Sequence, residues 1–187
     1  MPRSTQTTRV VSTASITISD LPEANGEMIT VPVTVPTRGY IHRVTLLWGK
    51  SSAFSGGTNA GGAYLHTSGT AGQGTTLMTS AEAQTIIAQA LINPDHSDTG
   101  GGQKALGSSL YVWCPALDFA AGMKNTASVS GASGGGPVGV YYDVSGDTLG
   151  PVAGTGTLFF TWINGSAQDF TTDALFVKLR FEIEPCP

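Results

Sequence analysis

A chain of 187 residues suits one domain, and a domain of this size buries roughly two-thirds of the surface its unfolded form would expose. Only 12% of the residues are charged, about half the usual share, and the net charge of −4 argues against broad binding to a phosphate backbone, which needs basic charge. No run approaches the ~18 apolar residues of a membrane span. Glycine supplies 25 residues, and serine and threonine are abundant. Such a composition suits strands joined by uncharged loops rather than a charge-rich disordered chain.

In chain order, residues 1–9 read as a flexible polar arm carrying Arg3 and Arg9 and no acid. Residues 10–187 read as one domain. Residues 10–19 are rich in β-branched side chains, with Ile16 and Ile18 alternating with Thr17 and Ser19, the pattern of a half-buried strand. Pro22, Asn25 and Gly26 mark a turn. Residues 27–35 alternate with Ile29, Val31, Val33 and Val35 on one face. Pro32 cannot donate to a ladder, so this strand belongs at an edge or at a bulge. Residues 40–48 form the next strand. Strict alternation groups Tyr40 and His42 with Val44, Leu46 and Trp48, and leaves the other face partly apolar as well, which predicts a central strand. Residues 49–76 read as a long glycine-rich loop, within which residues 63–66 have some strand character.

Residues 79–92 predict the chain's one short α-helix. Thr79 and Glu82 have capping-box spacing, Ala83, Ile86, Ile87, Ala90 and Leu91 make an apolar stripe, and Asn93-Pro94 ends it. Strands follow at 109–114, 137–145 and 157–163, the last leading into the turn dipeptide Asn164-Gly165. Residues 175–184 are the clearest strand. Leu175, Val177, Leu179, Phe181 and Ile183 fall on one face, with Lys178, Arg180, Glu182 and Glu184 on the other. So strict a period predicts a sheet with one face on a core and one on water. About seven to nine strands, one helix and no βαβ alternation predict a mainly β fold: an antiparallel β-sandwich, with the jelly-roll as one form of it.

Tests for chemistry give no enzyme template. Gly49-Lys50-Ser51 lacks the earlier glycine of a phosphate loop, since Val44 stands in that position. The three histidines, His42, His66 and His96, lack metal-ligand spacing, and no other residues suggest a metal or cofactor. No G-x-S-x-G elbow occurs, and Cys114 lies between Trp113 and Pro115, a setting of packing. With Cys186 it could form a disulfide or remain a free thiol. Glu182 and Glu184 would stand roughly 6.5–7 Å apart along one strand face, where pairing with Lys178 and Arg180 explains them better than glycosidase chemistry. Among the tyrosines and tryptophans, Tyr64 in the long loop is the best candidate for an exposed aromatic contact, with His66 beside it.

In general character the chain resembles bacteriophage virion structural proteins of the capsid decoration (cement) type: a short polar arm, little charge, many Gly, Ser and Thr residues, a mostly β body and a strong strand near the end. The resemblance rests on composition and layout over the whole chain and has no specific motif. It implies a non-enzymatic homo-oligomer, trimers being common among decoration proteins, that contacts a capsid shell protein, with no specific nucleic-acid or membrane partner. It places the chain in a virion, made in the host cytoplasm, where the lack of an apolar signal core also puts its synthesis. Arg3, Arg9, Tyr64 and His66 are the candidate partner contacts. A main capsid shell protein and a carbohydrate- or receptor-binding module of a tail are the alternatives.

Overall fold

The computed structural model describes residues 9–53, 61–67, 78–92, 104–114, 116–117, 120–121, 139–146, 154–166 and 169–186. The chain is mainly β, with two antiparallel sheets packed as a sandwich. Its strands are β1 (Val10–Ile16), β2 (Met28–Pro36), β3 (Arg38–Lys50), β4 (Gly61–His66), β5 (Ile86–Ile92), β6 (Lys104–Gly107), β7 (Leu110–Trp113), β8 (Ala116–Leu117), β9 (Ala120–Ala121), β10 (Val140–Asp143), β11 (Thr155–Ile163) and β12 (Ala174–Pro185). The front sheet runs β1-β12-β3, with β7, β8 and β10 all pairing along the far side of β3 and β6 outside β7. The back sheet runs β2-β11-β4-β5-β9.

The pairings nest. β1 pairs with β12, β2 with β11, β3 with β10 and β4 with β5, all antiparallel. The first and last strands are therefore neighbours, and successive strands from β1 to β4 alternate between the sheets. Among the described residues β2 pairs with β11 alone, so of the two positions open to Pro32, an edge or a bulge, it takes the edge. β3 is hydrogen-bonded on both sides, as its two partly apolar faces require.

The core lies between the sheets. From the front come Val44, Leu46, Trp48, Val177, Leu179, Phe181 and Ile183, and from the back Val31, Val33, Leu65, Leu158, Phe160 and Trp162. Trp48 of β3 meets Trp162 of β11 edge-on, with ring centres 5.2 Å apart. Phe170 packs on both, 5.4 Å from Trp48 and 5.2 Å from Trp162. The two edge-to-face contacts of Trp48, with Trp162 and with Phe170, each add roughly 0.5–1.5 kcal/mol beyond area burial.

Three expectations change. The capping box of Thr79 and Glu82 forms, with the Glu82 N–H donating to Thr79 Oγ1 at 3.2 Å and the Thr79 N–H to Glu82 Oε2 at 2.7 Å. Yet the helix, α1, spans only Ser80–Ala83. The residues after it are β5, with Ala88, Ala90 and Ile92 buried at period two and β4 as partner. A short apolar run satisfies both periods, and tertiary pairing decides between them. The loop expected at 49–76 is interrupted as well. Gly49 and Lys50 end β3, and Gly61–His66 is β4, an inner strand between β11 and β5. Gly61 has a φ of +110°, and an added Cβ would lie 1.7 Å from the Ile163 carbonyl oxygen, so only glycine lets β4 start against β11.

The third change is of phase. β12 keeps register with β3 except at two bulges. One inserts His42 into β3, so Ile41 and Val44 both face the core while Tyr40 turns outward, away from the Val44-Leu46-Trp48 face. The other inserts Leu175 into β12, and Leu175 is exposed rather than part of the apolar face expected of it.

Candidate functional site

The residues singled out by sequence go to different places. Arg3 and His96 lie outside the described residues. Arg9 is exposed immediately before β1. Tyr64 and His66 stand on the outer face of β4, not in a loop. Tyr64 is half-buried, and His66 is 0% exposed. A side chain so enclosed cannot touch a partner without the fold opening, so His66 is corrected from a surface contact to a structural residue.

Its surroundings explain the burial. His66 Nε2 lies 2.8 Å from Thr161 Oγ1, and that hydroxyl lies 2.8 Å from Thr30 Oγ1. The three residues sit on adjacent strands β4, β11 and β2. Phe159, two residues from Thr161 on the same face, stacks on the imidazole at 5.4 Å. Gln89, opposite Tyr64 on β5, is buried too. Hydroxyls, an amide and an imidazole thus form a polar layer on the outer side of the back sheet, and buried polar groups keep such positions only when hydrogen-bonded.

The outer face of the front sheet is open. Tyr40 and Tyr141 are 41% and 50% exposed, opposite one another on β3 and β10, with ring centres 5.3 Å apart. Around them His42 Nε2 contacts Glu184 Oε2 at 2.8 Å, and the Tyr141 hydroxyl donates to Asp143 Oδ2 at 3.5 Å. The Asp143 carboxyl is held below the usual carboxylate range, chiefly by hydrogen bonds from the Ser145 hydroxyl and N–H. Further along, Arg180 Nη2 lies 3.5 Å from Glu182 Oε1. Glu182 therefore pairs with Arg180, as its place on the strand predicts, whereas Glu184 pairs with His42 on β3 rather than with Lys178 or Arg180. Sequence reasoning missed the Tyr40–Tyr141 pair because it required the His42 bulge. Tyr141 alone was legible, alternating with buried Val140 and Tyr142.

Gly49-Lys50-Ser51 leads out of a strand and forms no phosphate cradle. The Phe176 ring covers Gly49, where a Cβ would lie 2.4 Å from Phe176 Cζ. Lys50 is buried with Nζ 5.9 Å from the centre of the Trp48 ring. Burial pulls its ammonium below the usual lysine range, partly offset by Asp173 and Asp169. Cys114 is exposed, Cys186 half-buried, and both thiols are free. Among the described residues no three of His, Cys, Asp and Glu converge as a metal site would require. Also among them, no helix is long and apolar enough to cross a membrane.

Comparison with protein-family models, with curated proteins and with solved structures returned no match.

Proposed function

We propose that the chain is a virion structural protein, a subunit that builds or braces a capsid through contacts with copies of itself. The observation that carries this reading is the nested pairing of β1 with β12, β2 with β11, β3 with β10 and β4 with β5. We read this nested order as that of an antiparallel ribbon rolled into a jelly roll, an architecture recurrent in capsid proteins and lectins. Two forms are open to such a subunit: the decoration (cement) protein that composition suggests, and a main shell protein. The ribbon order favours the second. Fold alone does not set function, so the low charge and the polar arm carrying Arg3 and Arg9 are needed beside it. Cryo-electron microscopy of particles from the source should place this chain in the shell or on it. Its absence from any particle would overturn the proposal.

A second reading draws on the Tyr40–Tyr141 pair. Exposed aromatic rings flanked by Glu184, His42 and Asp143 offer the stacking surfaces and polar partners that a sugar ring uses, which supports a carbohydrate-binding module. A glycan screen in which wild-type protein binds and Tyr141→Ala does not would favour this reading, while no binding by wild-type protein would sink it.

A further inference from the structure

We infer that the β1 edge of the front sheet is a docking site for a second copy of this chain, the two β1 strands pairing antiparallel across a twofold axis. The inference stands on the edge itself and holds for either reading of function. An edge strand offers a row of N–H and C=O groups to any strand that approaches, and proteins normally blunt it with prolines, charges, bulges or brevity.

The other edges carry such devices. β2 has Pro32 and Pro36. β6 has four residues, begins with Lys104 and carries a register break that leaves Leu106 unpaired. β10 has four residues and ends in Asp143, and β8 and β9 have two each. β1 has none of them. Its seven residues, VVSTASI, include no proline, lysine or acid, and they pair with β12 in unbroken register from Val10 opposite Ile183 to Ile16 opposite Val177. Among the described residues β1 has no other strand partner. Val10, Val11, Thr13 and Ser15 are exposed, and the first two are large apolar side chains left in water.

Charge selects the occupant and the direction. Exposed Arg9 stands before the strand, and exposed Asp20 follows beyond its end. Antiparallel pairing of two copies carries each arginine toward the other copy's acidic end, whereas a parallel arrangement sets like ends together. A twofold contact is also self-complementary, because one patch serves both sides.

The test is sedimentation of the full chain with hydrogen exchange of the β1 amides, in wild type and in Thr13→Lys/Ser15→Lys. Both substituted positions are exposed, and the pair puts four extra positive charges at the interface. Wild type should dimerise, and the variant should bind itself at least about tenfold more weakly while keeping the wild-type far-ultraviolet spectrum. Protection of β1 amides should rise with concentration in wild type alone. Arg9→Asp should weaken the dimer, and adding Asp20→Arg should restore it. If the lysine variant does not fold, the Arg9 and Asp20 variants, placed outside the strand, carry the same comparison. A monomeric wild type with concentration-independent exchange overturns the inference. So does a dimer that the β1 variants leave untouched, which would put self-association on another surface and leave the shell reading standing. Protection of β1 only by a different protein overturns it too, and makes the edge a site for a foreign strand.

Discussion

The outer faces of the two sheets are built on opposite principles. On the front, β12 alternates without a break once past its Leu175 bulge: Val177, Leu179, Phe181 and Ile183 go inward, while Lys178 and Arg180 point to water. On the back, the residues that should face water include buried Thr30, Thr161, His66 and Gln89. The front face tolerates charge because solvent screens it. The back face buries hydroxyls, an imidazole and an amide beside aromatics, and that burial makes it depend on hydrogen bonds such as those of Thr161 with His66 and Thr30. One sandwich can therefore have a face that adds little to stability on one side and a structural one on the other.

Substitutions on either side sharpen that contrast. The core that both sheets share sets the upper limit: Trp162→Ala should cost about 3–5 kcal/mol in urea unfolding. On the back face, Thr161→Val removes the hydroxyl shared by Thr30 and His66 and should cost about 1–3 kcal/mol, with a non-additive response in a cycle with Thr30→Val. A cost no larger than that of a front-face substitution would mean that the polar layer is not sealed. Tyr142 gives the converse case. Its hydroxyl is buried and makes no hydrogen bond among the described residues, and burial raises it well above the ordinary tyrosine range. Tyr142→Phe should therefore stabilise the protein by about 1 kcal/mol. Because the folded-state value is raised, the wild type should lose stability as pH rises beyond the unfolded tyrosine value, and the variant should lose less.

The smallest effects belong to the front face. Arg180→Ala should change stability by about 0–1 kcal/mol, and less at high salt, since Arg180 is exposed and its contact with Glu182 is a long one at 3.5 Å. Asp143 points the other way in pH. Its folded-state value is depressed, so its contribution is present above the unfolded aspartate value and disappears as pH falls through the folded one. Asp143→Asn should flatten the acid limb of the stability curve, measured by thermal unfolding across pH.

The legible parts of the fold were those where one residue type forces one outcome. Pro32 confined β2 to an edge or a bulge, and the strict period of β12 put its apolar side inward from Val177 to Ile183. Asn164 makes its turn by accepting hydrogen bonds from the Ser166 N–H at 2.8 Å and hydroxyl at 3.1 Å. The candidate contacts were less legible. Tyr64 and His66 lie among glycines, and the sequence around them does not reveal that β11 and β5 close on both sides of β4. Residues 86–92 carry an apolar pattern that suits a helix face or a sheet face, and only the partner strand distinguishes them.

Sequence by itself determined the class of architecture, the exclusion of Pro32 from a regular inner ladder, the helix cap and the faces of the strongest strand from Val177 to Ile183. These follow from local chemistry: a missing N–H, a side chain within reach of its own backbone, a period of two. Tertiary structure alone decided the nested strand order, the burial of His66 and the outward turn of Tyr40. Each depends on residues far apart in the chain. The His42 bulge exists only where β12 pairs with β3, and the polar layer exists only where β2, β11 and β4 lie side by side. A bulge of one residue reverses every face beyond it, and no alternation read along a single strand can register that reversal.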